Sequence, residues 1–140
     1  MKKIVFVCLG NICRSPMAEF VMKSLTDQLK IESRATSGWE HGNPIHRGTQ
    51  AIFKKYAIAY DRDKTSQQIS PADFADFDYV IGMDESNVRD LKRMAPEDFQ
   101  HKIYQFEEEG VPDPWYTGDF DQTYDLVLAG CKKWLERLDG

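Results

Sequence analysis

The sequence predicts an α/β domain, a parallel sheet covered by helices on both faces. Three observations predict it. Residues 3–7 and Tyr79-Val80-Ile81 are continuous aliphatic and aromatic runs without alternation, the mark of strands buried on both sides. Apolar residues elsewhere recur at three- and four-residue steps, most clearly at Tyr124, Val127, Leu128, Cys131, Trp134, Leu135 and Leu138. Helix-start signals punctuate the chain at Ser15-Pro16, Ser70-Pro71-Ala72-Asp73 and Asp84. The 140 residues suit one domain, and no repeat, low-complexity tract or linker marks a second.

In order along the chain, residues 3–7 form the first strand. Pro16 then opens a helix behind Ser15 as N-cap, with Met17, Phe20, Val21, Leu25 and Leu29 on its apolar face. A short second strand is expected over residues 33–37, ended by Gly38. A second helix follows Pro44, with Ala51, Ile52 and Tyr56 turned inward. The capping box at Ser70 starts a short helix, and residues 79–81 form the next strand. Asp84 caps a helix whose core side is Val88, Leu91 and Met94, and residues 103–106 form a fourth strand. The acidic stretch over residues 107–120, with its Gly and Pro, is expected to be loop, and the amphipathic helix closes the chain.

Composition narrows the function. A chain 41% hydrophobic and 29% charged can bury a core and stay in solution. The net charge of −5 argues against a nucleic-acid backbone as partner, though not against a small anion held by local donors. The apolar stretch that follows Met1-Lys2-Lys3 stops at Gly10-Asn11, well short of the ~20 residues a membrane span needs. It reads as a strand rather than a secretory signal. Three cysteines, an odd number without an export signal, point to a reducing, cytoplasmic setting. His41, His46 and His101 stand at no metal-ligand spacing, so neither a metal nor another cofactor is called for.

In a parallel sheet, ligands bind beyond the carboxyl ends of the strands, which directs attention to the turn after the first one. There Cys8 and Arg14 enclose five residues, and Ser15-Pro16 opens a helix at once. A loop over that span can turn backbone N–H groups inward as an anion nest, and the helix adds the positive end of its dipole. Gly10 and Asn11 are the residues suited to the positive φ such a loop demands. The nest fits a tetrahedral oxyanion such as phosphate. Its dipoles, the Arg14 guanidinium and the Ser15 hydroxyl all favour Cys8 as a thiolate, which can attack phosphorus while the planar fork of Arg14 holds two oxygens. The spacing alone is weak evidence, since Cys131 and Arg137 repeat it inside the last helix, where Cys131 lies on the apolar stripe. The strand, the Gly-Asn pair and the Ser-Pro helix start single out Cys8.

Cys8-Leu9-Gly10-Asn11-Ile12-Cys13-Arg14-Ser15-Pro16 resembles the signature of the low-molecular-weight protein tyrosine phosphatases. The likeness continues through Ala35-Thr36-Ser37-Gly38-Trp39, Gly42-Asn43-Pro44, Phe77-Asp78-Tyr79-Val80, Met83-Asp84-Glu85-Ser86-Asn87 and Asp113-Pro114-Trp115-Tyr116, so it covers essentially the whole chain. It implies a single-domain three-layer sandwich, a four-stranded parallel sheet flanked by helices with the phosphate-binding loop after the first strand. It also implies a metal-independent protein-tyrosine phosphatase acting on phosphotyrosine proteins or peptides through a phosphocysteine at Cys8. A monomer, or a weakly self-associating protein, is expected.

Such a reaction benefits from a proton donor to the leaving oxygen. Residues 107–120 hold several carboxylates, and Asp113 stands out because Pro114 fixes the backbone beside it and aromatics follow. By resemblance Asp113 is the general acid and later the base, with Glu107, Glu108 and Glu109 a solvated loop. Trp39, Trp115 and Tyr116, read alone, divide evenly between folded-over loop core and ligand wall. By resemblance Trp39 and Trp115 flank the substrate ring, in a slot too deep for phosphoserine, and Tyr116 matches a second tyrosine. Cys13 is implied as the redox partner that closes a reversible disulfide on oxidised Cys8. One departure concerns Lys64-Thr65-Ser66-Gln67-Gln68, where many members carry a His that pins the loop Asn and Ser and an Arg downstream. The support of Asn11 and Ser15 must therefore differ.

Four other readings share the loop. Protein-arginine phosphatase is the nearest, but that branch carries Thr where this chain has Ile12. Arsenate reductase needs a further cysteine pair, and only Cys131 remains. A phosphocysteine carrier protein would need the nest and thiol but no acid, against Asp113-Pro114; a non-catalytic phosphopeptide-binding module would gain little from the thiolate.

Overall fold

In the computed structural model, which describes residues 1–139, β1 (Lys2–Cys8) lies inside a four-stranded sheet of order β2-β1-β3-β4. β2 (Leu29–Ala35) pairs with one edge of β1, β3 (Tyr79–Gly82) with the other, and β4 (Ile103–Gln105) with β3, all parallel. Because side chains alternate along a strand, β1 feeds two cores. Ile4, Phe6 and Cys8 face α1 (Arg14–Leu25), α2 (Arg47–Lys55) and α6 (Phe120–Asp139), whereas Val5 and Val7 face α3 (Pro71–Asp76) and α4 (Glu85–Met94). This is the three-layer architecture expected from the unalternating strand.

The connection from β1 runs through α1 on one face, and that from β3 through α4 on the other. A crevice therefore opens beyond the carboxyl ends of β1 and β3, where the topology switches. Packing there is tight. A Cβ on Gly130 of α6 would overlap the Phe106 ring, so only glycine lets the last helix lie this close.

Several boundaries differ from the expectations. β2 begins at Leu29, four residues before the expected strand: its edge position leaves Lys30 and Glu32 exposed, and this alternation hides the strand from a search for apolar runs. Leu29 therefore belongs to the sheet, and Leu25 ends α1 at the surface, 37% exposed. α1 starts at Arg14 with Cys13 at the N-cap and no side-chain cap, because the Ser15 hydroxyl is turned to the sulfur of Cys8 instead. In α2 the inward residues are Thr49, Ile52 and Phe53; Ala51 and Tyr56 are exposed. Residues 107–120 are not wholly loop, since Pro114–Thr117 makes one helical turn, α5. The capping box of α3, the Asp84 cap of α4 and the apolar stripe of α6 are as expected. Among the described residues no helix is long and apolar enough to cross a membrane.

Candidate active site

Cys8 ends β1, and its buried sulfur lines a pocket at the switch point. Polar groups converge on Sγ: the Asn11 amide donates at 3.3 Å, the Ser15 amide donates at 3.4 Å, and the Ser15 hydroxyl lies at 3.1 Å. The loop that delivers them turns through Asn11 at φ 56°, the left-handed conformation expected there. Gly10, also expected to take positive φ, does not. Its want of a side chain serves a close approach instead, because a Cβ would meet Glu40 Cγ at 3.3 Å.

The surrounding chain draws the loop's carbonyls outward. Leu9 O accepts from Ser37 Oγ at 2.8 Å, Gly10 O from Ser66 Oγ at 2.7 Å, Ile12 O from the His46 amide at 2.9 Å and Cys13 O from Thr49 Oγ1 at 3.2 Å. The amides of Gly10, Ile12 and Cys13 donate to no acceptor among the described residues. With the twelve-residue α1 directly behind, this is an anion nest in front of a thiol.

Arg14 is 3% exposed and crosses the crevice. Its Nη1 donates to Asp84 Oδ2 at 2.6 Å and to Val111 O at 3.0 Å, and its Nη2 to Asp113 Oδ2 at 3.4 Å. The Nε donor is buried without a partner among the described residues. Burial opposes the guanidinium charge, but Cys8, Asp84 and Asp113 outweigh it and carry the pKa of Arg14 above the ordinary arginine value. Asp84, read from sequence only as a helix cap, does double duty: Oδ1 caps α4 through the Asn87 amide and Oδ2 holds Arg14.

Of the carboxylates in residues 107–120, only Asp113 lines the pocket. It also caps α5, accepting from the Trp115 amide at 3.0 Å, so the capping role falls to the same carboxylate that lines the pocket. That bond and the Arg14 contact aim it across the pocket from Cys8. Trp39, Trp115 and Tyr116 are 80%, 57% and 77% exposed, which decides between loop core and rim in favour of rim. Trp115 rests edge-on against His46, which stacks on Phe120. His46 also holds Ile12 O, so the wall and the loop share a support that sequence reasoning missed.

Cys13 lines the same pocket and is 4% exposed; burial, then the neighbouring Cys8, push its thiol well above the usual cysteine range. Cys131 is a core residue beside Ala18, and burial pushes its thiol up as well. The segment marked as a departure does support the loop differently. The Gln67 amide donates to Asn11 Oδ1 at 3.1 Å, Ser66 holds Gly10, and Asn11 Nδ2 reaches Ser15 Oγ at 2.9 Å and Ser33 Oγ at 3.0 Å.

An amide nest around a cysteine sulfur, with a buried arginine and a pocket carboxylate, defines a site for cysteine-based phosphate chemistry. The family model described as low molecular weight phosphotyrosine protein phosphatase matches residues 3–140. A low molecular weight protein-tyrosine-phosphatase, PtpA of Staphylococcus aureus, is 44% identical over 141 residues, covering 94% of this chain and 90% of that protein. The crystal structure of SP-PTP, a low molecular weight protein tyrosine phosphatase from Streptococcus pyogenes, superposes with a TM-score of 0.97 at 64% identity, covering 99% of this chain and 93% of that one. A Drosophila arginine phosphatase is similar at 29% identity and a TM-score of 0.89, covering 100% and 99%. The chain belongs to the low molecular weight phosphotyrosine protein phosphatase family.

Proposed function

We propose that this protein-tyrosine phosphatase works through a phosphocysteine at Cys8, with Arg14 as phosphate clamp and Asp113 as general acid and base. The observation that carries the proposal is the convergence of the Asn11 amide, the Ser15 amide and the Ser15 hydroxyl on one sulfur, within reach of a phosphate that the nest would hold. Cys8 Sγ attacks phosphorus, the P–S bond forms as the P–O bond breaks, and Asp113 gives its proton to the leaving phenolic oxygen. Asp113 then takes a proton from water, whose oxygen attacks phosphorus; the P–S bond breaks and inorganic phosphate leaves. The open nest amides and Arg14 Nε face charge that shifts among the phosphoryl oxygens at each step.

The exposed indoles of Trp39 and Trp115 would flank the substrate ring, with Tyr116 beside them. An aromatic slot above a buried sulfur favours the long phosphotyrosine side chain over phosphoserine. Cys13 is the redox partner in this reading: its thiol displaces water from a sulfenic acid that peroxide leaves on Cys8, and a disulfide forms.

Asp113→Asn keeps the helix-capping oxygen and is expected to fold. It should lower kcat on a phosphotyrosine peptide about a hundredfold. The loss in the first turnover of para-nitrophenyl phosphate, read as the nitrophenolate burst, should be much smaller, because nitrophenolate leaves without a proton. Excess EDTA should leave both rates unchanged. An equal loss in the first turnover of both substrates, or inactivation by EDTA, would contradict the assignment.

A further inference from the structure

Behind the catalytic loop lies a buried polar chain of which the chemistry above uses only the last link, the Ser15 hydroxyl. Lys64, in the segment between α2 and α3, places Nζ 3.5 Å from Glu19 Oε1 and 3.3 Å from Ser33 O. The Lys64 and Glu19 side chains are only 12% and 5% exposed. Ser33 Oγ donates to Glu19 Oε1 at 2.6 Å, and Asn11 Nδ2 bridges Ser33 Oγ and Ser15 Oγ. Ser15 Oγ ends the chain 3.1 Å from Cys8 Sγ.

The hydrogens in this chain run one way. Glu19, paired with Lys64 and with Lys23 at 2.7 Å, accepts only. The single hydroxyl hydrogen of Ser33 is therefore spent on Glu19, and its oxygen can only accept from Asn11. The Asn11 amide is fixed from its other end, since Oδ1 accepts from the Gln67 amide. Its second N–H then goes to Ser15 Oγ, which leaves Ser15 one hydrogen to give. That hydrogen has two acceptors in reach, the Cys8 sulfur at 3.1 Å and Arg34 O at 3.4 Å, and the nearer one is favoured.

We propose that Lys64 is a positioning residue for the Cys8 thiolate: its ammonium keeps Glu19 an acceptor, and the resulting order through Ser33 and Asn11 turns the Ser15 hydroxyl onto the sulfur. A neutral group at position 64 would leave Glu19 buried beside only Lys23, whose side chain is 42% exposed. The hold that keeps Glu19 an acceptor would then weaken, and the order could reverse. Lys64 sits among charged groups from two elements: Glu19 and Lys23 of α1, and Glu32 and Arg34 of β2, the latter also paired with Asp73 of α3. Burial first, and Arg34 with it, push the lysine pKa below its ordinary value, while Glu19 opposes them. The support is thus expected to fade on the alkaline side sooner than for an exposed lysine.

The inference rests on the assignment of Cys8 as nucleophile, so its test reads the thiolate without turnover. Iodoacetate alkylation of the Cys8 peptide is followed by mass spectrometry at about pH 6 and about pH 9, and the ratio of the two rates reports how far the thiolate is favoured. Lys64→Met and Ser33→Ala are each expected to lower that ratio about five- to tenfold, and Lys64→Arg to restore most of it. In Lys64→Met, kcat should fall while KM for a phosphotyrosine peptide changes less than about twofold. A ratio in Lys64→Met within about twofold of wild type overturns the proposal, as does a fall that Lys64→Arg fails to reverse. If Lys64→Met does not fold, Ser33→Ala decides, because it breaks the chain without stranding a charge. Should phosphatase turnover prove independent of Cys8, the alkylation ratio still tests the proton order by itself.

Discussion

Cys8→Ser is expected to remain folded and to lose at least about ten-thousandfold in phosphotyrosine turnover. The exchange is nearly isosteric, and a serine hydroxyl finds the same Asn11 and Ser15 partners, so the loop has no reason to collapse. What disappears is the nucleophile. A serine hydroxyl in the same place ionises far less readily than a thiol and is the weaker nucleophile toward phosphorus. Initial rates on a phosphotyrosine peptide, together with a thermal melt, check both halves of the expectation. Inorganic phosphate should still bind the variant, because the Gly10, Ile12 and Cys13 amides and Arg14 are untouched.

Arg14→Lys is expected to cost about a thousandfold in kcat/KM, most of it in kcat. The guanidinium is committed on one side to Asp84 and Val111 O through Nη1 and to Asp113 through Nη2, which holds its plane fixed across the crevice. Nε and the second hydrogen of Nη2 are what this leaves for the phosphoryl oxygens. A lysine supplies one point charge on a flexible stem and cannot meet Asp84 and two phosphate oxygens together. The larger loss falls in kcat because a fork that follows the equatorial oxygens as they flatten gives most to the transition state. The raised pKa of Arg14 keeps it charged across the working range, so whatever pH dependence the wild type shows should persist in the variant with its midpoints little changed. Steady-state kinetics over pH, with circular dichroism to confirm folding, separate these outcomes from a structural failure.

The features legible in the sequence are those written locally. β1, β3 and α6 announce themselves through run length and period, and the caps at Ser70 and Asp84 are stated within four residues. The Cys8 to Ser15 loop is likewise one contiguous word. β2 was obscured because an edge strand carries Lys30 and Glu32 on alternate positions, and its start was drawn into the helix before it. The contact of Asp84 with Arg14 spans 70 residues and depends on the register of β3 against β1, about which neither residue carries any signal. The same holds for Glu19, Ser33 and Lys64, three unremarkable polar residues until α1, β2 and the segment after α2 meet. Sequence alone marked only that something other than histidine must support Asn11.

The mechanism requires phosphate to pass through Cys8. The most direct measurement is rapid quench of the Asp113→Asn variant during turnover of para-nitrophenyl phosphate, followed by mass spectrometry of the peptide holding Cys8. That substrate needs no acid while Asp113 is also the base for hydrolysis, so the variant should accumulate the intermediate, with phosphate found on Cys8 and lost once the substrate is exhausted. Turnover without phosphate on Cys8, or with phosphate on another side chain, would contradict the account. A Cys8 phosphate that forms in the wild type but is never released to water would give the site to a phosphoryl carrier instead.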